Sequence, residues 1–375
     1  MNNMILAKAS PEKRLFISLL TRDIPMLSAF LDLIDNSVNA ALGPFADRLG
    51  TADGYVDVLE DEDVQPNTEI KLTITDQSVK IVDNAPGISL ELAKNHVFKF
   101  GRSLEEENES DRLSVYGLGL KRAFFKLGRN VKIISDHIEG GFELNLDVEQ
   151  WAKDTAMPWQ FELASREPTE QKDCGTTIEV WGLYDGTKKR LNDGVFKDQL
   201  KDSIGKTYAY FLNKFVRIFV NGESVAPTDL QVGSNNATAH FKSNSVTCTI
   251  IAGLGTPVSG QYRDSGSGWF VFCNGRTVIS ANKSSLTGWN NNGLPIFQPK
   301  HRPFLGTVYF VSIHADKLPW DTTKSRINED SELWQEAKRQ MISVGRSVTS
   351  FLDKRYSDEG TDIAQSELGE VSKEP

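Results

Sequence analysis

The sequence predicts an α+β fold in two parts, and three observations carry that prediction. Apolar residues alternate with polar ones at Ile70, Leu72 and Ile74, and short apolar runs follow at 79–82, 131–135, 142–146, 159–163 and 176–181. These strands are joined mainly by turns, without the regular strand-helix alternation of a doubly wound sheet, so an antiparallel sheet with helices on one face is expected. The chain has 375 residues, too many for one compact core, and beyond Pro227 its composition shifts to Ser, Asn, Gly and Thr.

Composition narrows the class further. Apolar, charged and aromatic fractions of 39%, 25% and 9% are those of an ordinary globular protein. A net charge of -9 and a pI near 5.3 argue against nucleic-acid binding through bulk electrostatics and leave room only for a local basic groove. Cys174, Cys248 and Cys273 are too far apart for a disulfide framework or a close-paired zinc site, and they read as buried, reduced thiols. There is no apolar run of about 18 residues and no signal-peptide pattern. A cytosolic, membrane-free protein is the expectation.

Taken in order, Pro11 opens a helix through Leu15, Phe16, Leu19 and Leu20, and Pro25 punctuates the start of the next. On that second helix, at roughly 100° per residue, Leu27, Phe30, Leu31, Ile34, Val38 and Ala41 share one side, and Asp32, Asp35, Asn36 and Asn39 share the other. A polar face of carboxylates and amides is ordinarily a solvated surface, but its oxygens also suit a hydrated Mg²⁺ held together with phosphates. The acidic run Glu60–Asp63 reads as an exposed loop. A hairpin from Ile70 then ends in Asp83-Asn84-Ala85-Pro86-Gly87-Ile88. A carboxylate leaving a strand into a Pro-Gly turn either caps its own backbone or accepts a hydrogen bond from an exocyclic amine such as that of adenine.

A helix is predicted from Leu90 to Phe100, broken by Phe100-Gly101-Arg102-Ser103, and a charged segment continues to Arg112. The stretch 88–116 has the length and character of a lid. It leads into Tyr116-Gly117-Leu118-Gly119-Leu120-Lys121, where two glycines open a helix, expose backbone N–H groups at its positive end and place a lysine nearby, an arrangement that fits a phosphate chain. After the strands comes Cys174-Gly175-Thr176-Thr177, then a long helix through Phe196, Leu200, Ile204, Tyr208 and Leu212 and a strand from Phe215 to Val220. Later strands are expected at 246–252, 269–273, 277–279 and 307–313, with a long loop at 284–302. A helix from about Glu329 carries Trp334, Ala337, Met341, Val344, Val348 and Phe351, and a polar, disordered tail comes after it.

The helix 32–40, the turn 83–87, the glycine element 117–121 and Gly175-Thr176-Thr177 together resemble, in order and spacing, the nucleotide motifs of GHKL ATPases, the superfamily of gyrase-type topoisomerases, heat-shock chaperones, histidine kinases and MutL. The resemblance implies a Bergerat-type ATP-binding α/β sandwich over 1–226, an S5-like α+β transducer domain over 227–356 and a tail over 357–375. It implies that Asn36 holds Mg²⁺, that Asp83, supported by Thr176, reads the adenine amine, and that Gly117, Gly119 and Lys121 hold the phosphates. Asn39, Ala40, Gly87, Ile88, Gly101, Ser103, Tyr116, Leu118 and Leu120 complete the implied nucleotide contacts. Asp32 stands where the family usually has a glutamate that activates water, one methylene shorter, and Ala85 stands where a middle glycine is common.

In the second part, Phe272–Val278 looks like the strand-turn-strand of the transducer, and Leu318-Pro319-Trp320-Asp321-Thr322-Thr323-Lys324-Ser325-Arg326 is similar to the loop that brings a lysine to the γ-phosphate. The phrases at 100–103 and 116–121 look most like MORC proteins. The resemblance therefore implies an ATP- and Mg²⁺-dependent ATPase that dimerises through Met1–Thr21, acting as a DNA-associated clamp, as a chaperone-like machine or as a nucleotide-gated module, alone or within a larger complex. Lys188–Arg190 and Lys300–Arg302 are the candidate DNA contacts.

Overall fold

The computed structural model describes residues 11–371 apart from 46, 51–53, 55–56, 59–60, 62, 102–112, 114–116, 155–157, 229 and 291–292. Helix α1 (Lys13–Arg22) stops short of Pro25, which caps the start of α2 (Met26–Leu42). Strands β1 (Thr68–Ile74) and β2 (Ser78–Asp83) form the expected hairpin. They join β3 (Gly128–Asp136), β4 (Gly141–Asp147), β5 (Leu163–Arg166), β6 (Gly175–Leu183), β7 (Val216–Val220) and β8 (Glu223–Ser224). The order is β5-β4-β3-β6-β2-β1-β7-β8, antiparallel throughout except where β7 lies parallel beside β1.

The alternating burial of β1 and β2 turns one face of this sheet toward the helices. Helix α2 packs against α3 (Gly119–Leu127), and α1 lies on α3 and α4 (Val148–Lys153). Helices α5 (Asp185–Leu191) and α6 (Gly194–Thr207) close the layer.

The second sheet runs β12-β11-β13-β10-β9, built from β9 (Val232–Ser243), β10 (Val246–Gly255), β11 (Gly268–Cys273), β12 (Arg276–Asn282) and β13 (Phe304–Val311). Helix α7 (Glu332–Val371) covers β9, β10 and β13. One apolar core is continuous across both sheets, from Phe30 and Phe124 to Trp269 and Trp334. That continuity fixes the second sheet against the first.

Five elements differ from the sequence reading, each for a packing reason. The strand expected at 159–163 begins only at Leu163, because Trp159 and Phe161 are drawn into an aromatic cluster with Phe100 and Trp151. The helix expected over 90–100 is one turn, Leu90–Leu92, widening into a π-helical turn, Ala93–Val97, and Phe98 and Phe100 then enter the aromatic cluster. Helix α6 ends at Thr207 and not at Leu212, since Tyr208 turns inward to bond with α2. Strand β9 was not expected: its Gly, Asn and Ala residues give little apolar alternation, and as an edge strand it is held by pairing with β10. Finally, α7 extends through Val371, across most of the tail expected to be unstructured, where Ala364, Gln365, Glu367 and Leu368 favour propagation of a helix already nucleated by packing.

The loop 284–302 is packed, with Trp289, Leu294 and His301 buried. The three cysteines are buried and free. No helix among the described residues is long and apolar enough to cross a membrane.

Candidate functional site

Three neighbouring strands assemble one end of the site. Register places Asp83 of β2 opposite Thr176 of β6, and Thr176 opposite Ser135 of β3. The buried Asp83 carboxylate accepts from the Ser37 hydroxyl, from the Ala85 N–H at 3.1 Å and from the Thr176 N–H at 3.2 Å. A carboxylate has about four lone-pair positions, so one acceptor position remains, as a base-reading residue requires. Burial raises the Asp83 pKa, and the hydrogen bonds from Ser37, Ala85 and Thr176 oppose it only in part.

Ser135 Oγ sits 3.0 Å from Thr176 Oγ1 and accepts the Ile88 N–H at 2.7 Å, which fixes the turn that carries Gly87. Gly87 is required there. Its φ is +76°, and a Cβ would lie 2.0 Å from the Asp136 carbonyl oxygen.

The polar face of α2 is not a solvated surface. Asp32 is 1% exposed and is held by both arms of Arg122 from α3, Nε to Oδ2 and a terminal nitrogen to Oδ1 at 2.6 Å. Asp35 accepts from Arg276 at 2.8 Å, from Lys324 at 2.7 Å and from the Tyr208 hydroxyl at 2.7 Å. Burial by itself would raise the Asp35 carboxyl, but the cations Arg276 and Lys324 hold it down to about 2. Burial also pushes the Tyr208 hydroxyl well up, with the Asp35 charge adding to it. The Asn36 amide nitrogen donates to the Asp32 carbonyl at 2.7 Å, which leaves its carbonyl oxygen as a hard donor suited to Mg²⁺. Asn39 Oδ1 accepts the Leu113 N–H at 3.3 Å, and Ala40 lies beside it on α2, half-buried.

A cavity of about 250 Å³ lies where these elements meet. It is lined by Gly117, Leu118, Gly119 and Arg122 at the start of α3, by Thr322, Thr323 and Lys324 of the second part, and by the end of α1. Gly119 abuts Asp32: a Cβ there would stand 3.5 Å from Oδ1. Arg122, Lys324, a helix start and two threonines give this cavity groups suited to an anion, although Asp23 also lines it and the two cations are already paired with Asp32 and Asp35.

Several implied residues are brought together, and others are not. Asp32, Asn36, Gly117, Leu118, Gly119 and Lys324 gather around α2, and Asp83, Gly87, Ile88 and Thr176 gather at the strand ends. Lys121 departs from its expected role. It is fully buried, donates to the Val97 carbonyl and lies 5.6 Å from the Phe100 ring centroid, so it packs behind the cavity, which it does not line.

Leu120 is buried in the core, and Gly101 takes a φ of +106°. Ser103, Tyr116 and about half of the segment 88–116 expected to form a lid lie outside the described residues, as do residues 1–10 of the segment expected to dimerise. Of the basic triplets, Lys300 pairs with Asp353, His301 is buried and Arg302 pairs with Asp264, while Arg190 pairs with Asp193.

Sequence reasoning assigned no role to Ser37, Arg122, Ser135, Tyr208 or Arg276. The available signal was the pair Asp32 and Asp35 on one amphipathic helix: carboxylates carried into a core call for buried cations, and Arg122 comes directly after the glycine element.

A buried acceptor at the ends of three strands, an oxygen-bearing helix face and a cavity carrying Arg122 and Lys324 at a glycine-opened helix are features that allow comparison with known nucleotide-binding domains. Residues 24–176 match the family described as histidine kinase-, DNA gyrase B-, and HSP90-like ATPase. The matched segment runs from Ile24 to Thr176, spanning α2, both glycines of the cavity and the Asp83–Thr176 pair, and the family it resembles is one of ATPases. No curated protein matches the chain.

Proposed function

We propose that this chain is a Mg²⁺-dependent ATPase whose chemistry is completed by the loop 318–326. The observation that carries the reading is convergence: Lys324 and Thr322 of that loop line the same cavity as Gly117, Gly119 and Arg122, against the α2 face that carries Asp32. Asp83 and Thr176 hold the adenine amine, the start of α3 holds the phosphate chain, and Lys324 steadies the charge that develops on the terminal phosphoryl group. Asn36 would hold Mg²⁺ through its free carbonyl oxygen, and the ion would supply charge neutralisation on the phosphates.

Asp32 orients the attacking water and takes its proton. The water oxygen forms a bond to phosphorus as the bond to the bridging oxygen breaks, ADP leaves with that electron pair, and inorganic phosphate is released. Steady-state ATP hydrolysis tests the reading, beside Asp32→Asn and Lys324→Ala; turnover in the parent that is lost in both variants supports it. An unchanged rate in Asp32→Asn would remove Asp32 as the base.

The use we propose for this cycle is a DNA-associated clamp of the MORC or MutL kind, with the lid 88–116 ordering on ATP and two protomers meeting through Met1–Thr21. Exposed Leu15 and Leu19 on α1, with Leu19 at the rim of the cavity, support an association there that senses the nucleotide. DNA binding that weakens steeply with salt, and DNA-stimulated turnover, test the clamp. Salt-insensitive binding of unfolded protein would instead favour a chaperone-like role. A nucleotide-gated module with little hydrolysis is the second reading, and the Arg122 grip on both oxygens of Asp32 favours it.

A further inference from the structure

Arg122 is shared by the cavity, the carboxylate of the water-activating position and the loop of the second part. It lines the cavity, pairs with Asp32 through two nitrogens and donates to the Thr322 carbonyl at 3.0 Å through the third. A guanidinium has five N–H groups, so beyond these three bonds two donors remain for an oxyanion. Asp32, in contrast, is 1% exposed and does not line the cavity. An anion entering the cavity therefore meets Arg122 before it can influence Asp32.

We propose that Arg122 is a catalytic residue that exchanges partners, leaving the Asp32 carboxylate for the terminal phosphate of the bound nucleotide. One movement then does two things. It adds a planar, bidentate cation to the transferred group and frees both oxygens of Asp32 for the water. A nucleotide without a terminal phosphate leaves Arg122 on Asp32 and the base engaged. The inference rests on the ATPase reading and adds the residue that couples the presence of the γ-phosphate to release of the base.

The test is a calorimetric comparison of MgATP and MgADP binding to the full chain, to Asp32→Asn, to Arg122→Gln and to the double variant. Asp32→Asn weakens the grip on Arg122, so its preference for ATP over ADP rises by about tenfold, the scale of one charge-assisted bond. Arg122→Gln loses the parent's preference for ATP while its ADP affinity is kept. In the double variant the gain from Asp32→Asn disappears.

A gain that persists without Arg122 overturns the exchange, because it then comes only from removing a negative charge. Equal losses of ATP and ADP affinity in Arg122→Gln overturn it too, since they assign Arg122 a purely structural role. Should Arg122→Gln fail to fold, the Asp32→Asn arm still decides: an unchanged preference for ATP overturns the proposal. A parent chain that binds neither nucleotide removes the ATPase reading itself, an outcome separate from all of these.

Discussion

Lys324 and Asp35 meet as a buried ion pair, Nζ to Oδ2 at 2.7 Å, although 289 positions separate them in the chain. Arg276 completes the contact by binding Asp35 with one nitrogen and the Lys324 carbonyl with another at 2.7 Å. Lys324 itself takes a φ of +53°, a left-handed conformation that a non-glycine residue adopts only when its surroundings hold it there. The loop 318–326 is thus fastened to α2 by side chain and main chain together. On the proposed reading, a phosphate in the adjoining cavity would compete with Asp35 for the lysine.

That competition sets the behaviour of Lys324→Ala. Asp35 keeps Arg276 and Tyr208, so the fold survives, with a stability loss of about 1–3 kcal/mol. Turnover is expected to fall by about a hundredfold, as when one stabilising donor of a transition state is removed. ATP affinity should change far less than kcat. Single-turnover kinetics beside equilibrium binding separates the two, and a loss confined to affinity would argue against a role in the chemical step.

Asp35 gives a pH signature. Its carboxyl is held at about 2 in the folded protein against an ordinary 3.8. Because the folded value lies below the unfolded one, the pairing stabilises the protein fully above pH 3.8, and the benefit is lost as pH falls toward about 2. Asp35→Asn leaves Arg276 and Lys324 buried without their anion and is expected to cost about 3–5 kcal/mol at neutral pH. The gap between parent and variant should narrow at pH 3 in denaturant titrations. A gap independent of pH would show that the ion pair is not its source.

Asp83 behaves in the opposite sense. Burial raises its carboxyl, so the folded state holds the proton longer than the unfolded chain does, and stability declines as pH rises through the interval just above the ordinary value of 3.8. Asp83→Asn removes a buried charge and is expected to keep or raise the melting temperature. ATP affinity should fall by about ten- to a hundredfold, the scale of a hydrogen bond to a charged group. Calorimetry and thermal melts on one preparation check both halves. Tight ATP binding by the variant would take Asp83 out of base recognition.

Gly87 tests the turn. A methyl at this position collides with the Asp136 carbonyl at 2.0 Å and meets a φ of +76°, whereas a methyl at Gly43 meets nothing within 4 Å. Gly87→Ala is expected to cost about 2 kcal/mol or more and to weaken ATP binding with it. Gly43→Ala, on ordinary helical geometry, should change stability by less than about 1 kcal/mol. Equal melting temperatures in the two variants would contradict the close approach at Gly87.

The amphipathic division of α2, the hairpin ending at Asp83 and the glycines that open α3 were legible in the chain, because each depends on residues within a few turns of one another. So was the grouping that points to a nucleotide. The edge strand β9 and the early end of α6 were not, since pairing with β10 and the inward turn of Tyr208 override weak local patterns. Nor was the burial of Lys121, which its place after two glycines suggests should face phosphate. Above all, spacing carries no record of which cation answers which carboxylate: Arg122 reaches Asp32 across 90 positions and Arg276 reaches Asp35 across 241. The sequence by itself determined which polar groups share the face of α2, the end of β2 and the start of α3. Only the tertiary structure decided which of them are already engaged, because burying two carboxylates on one helix forces the fold to bring their counter-charges from distant strands and loops.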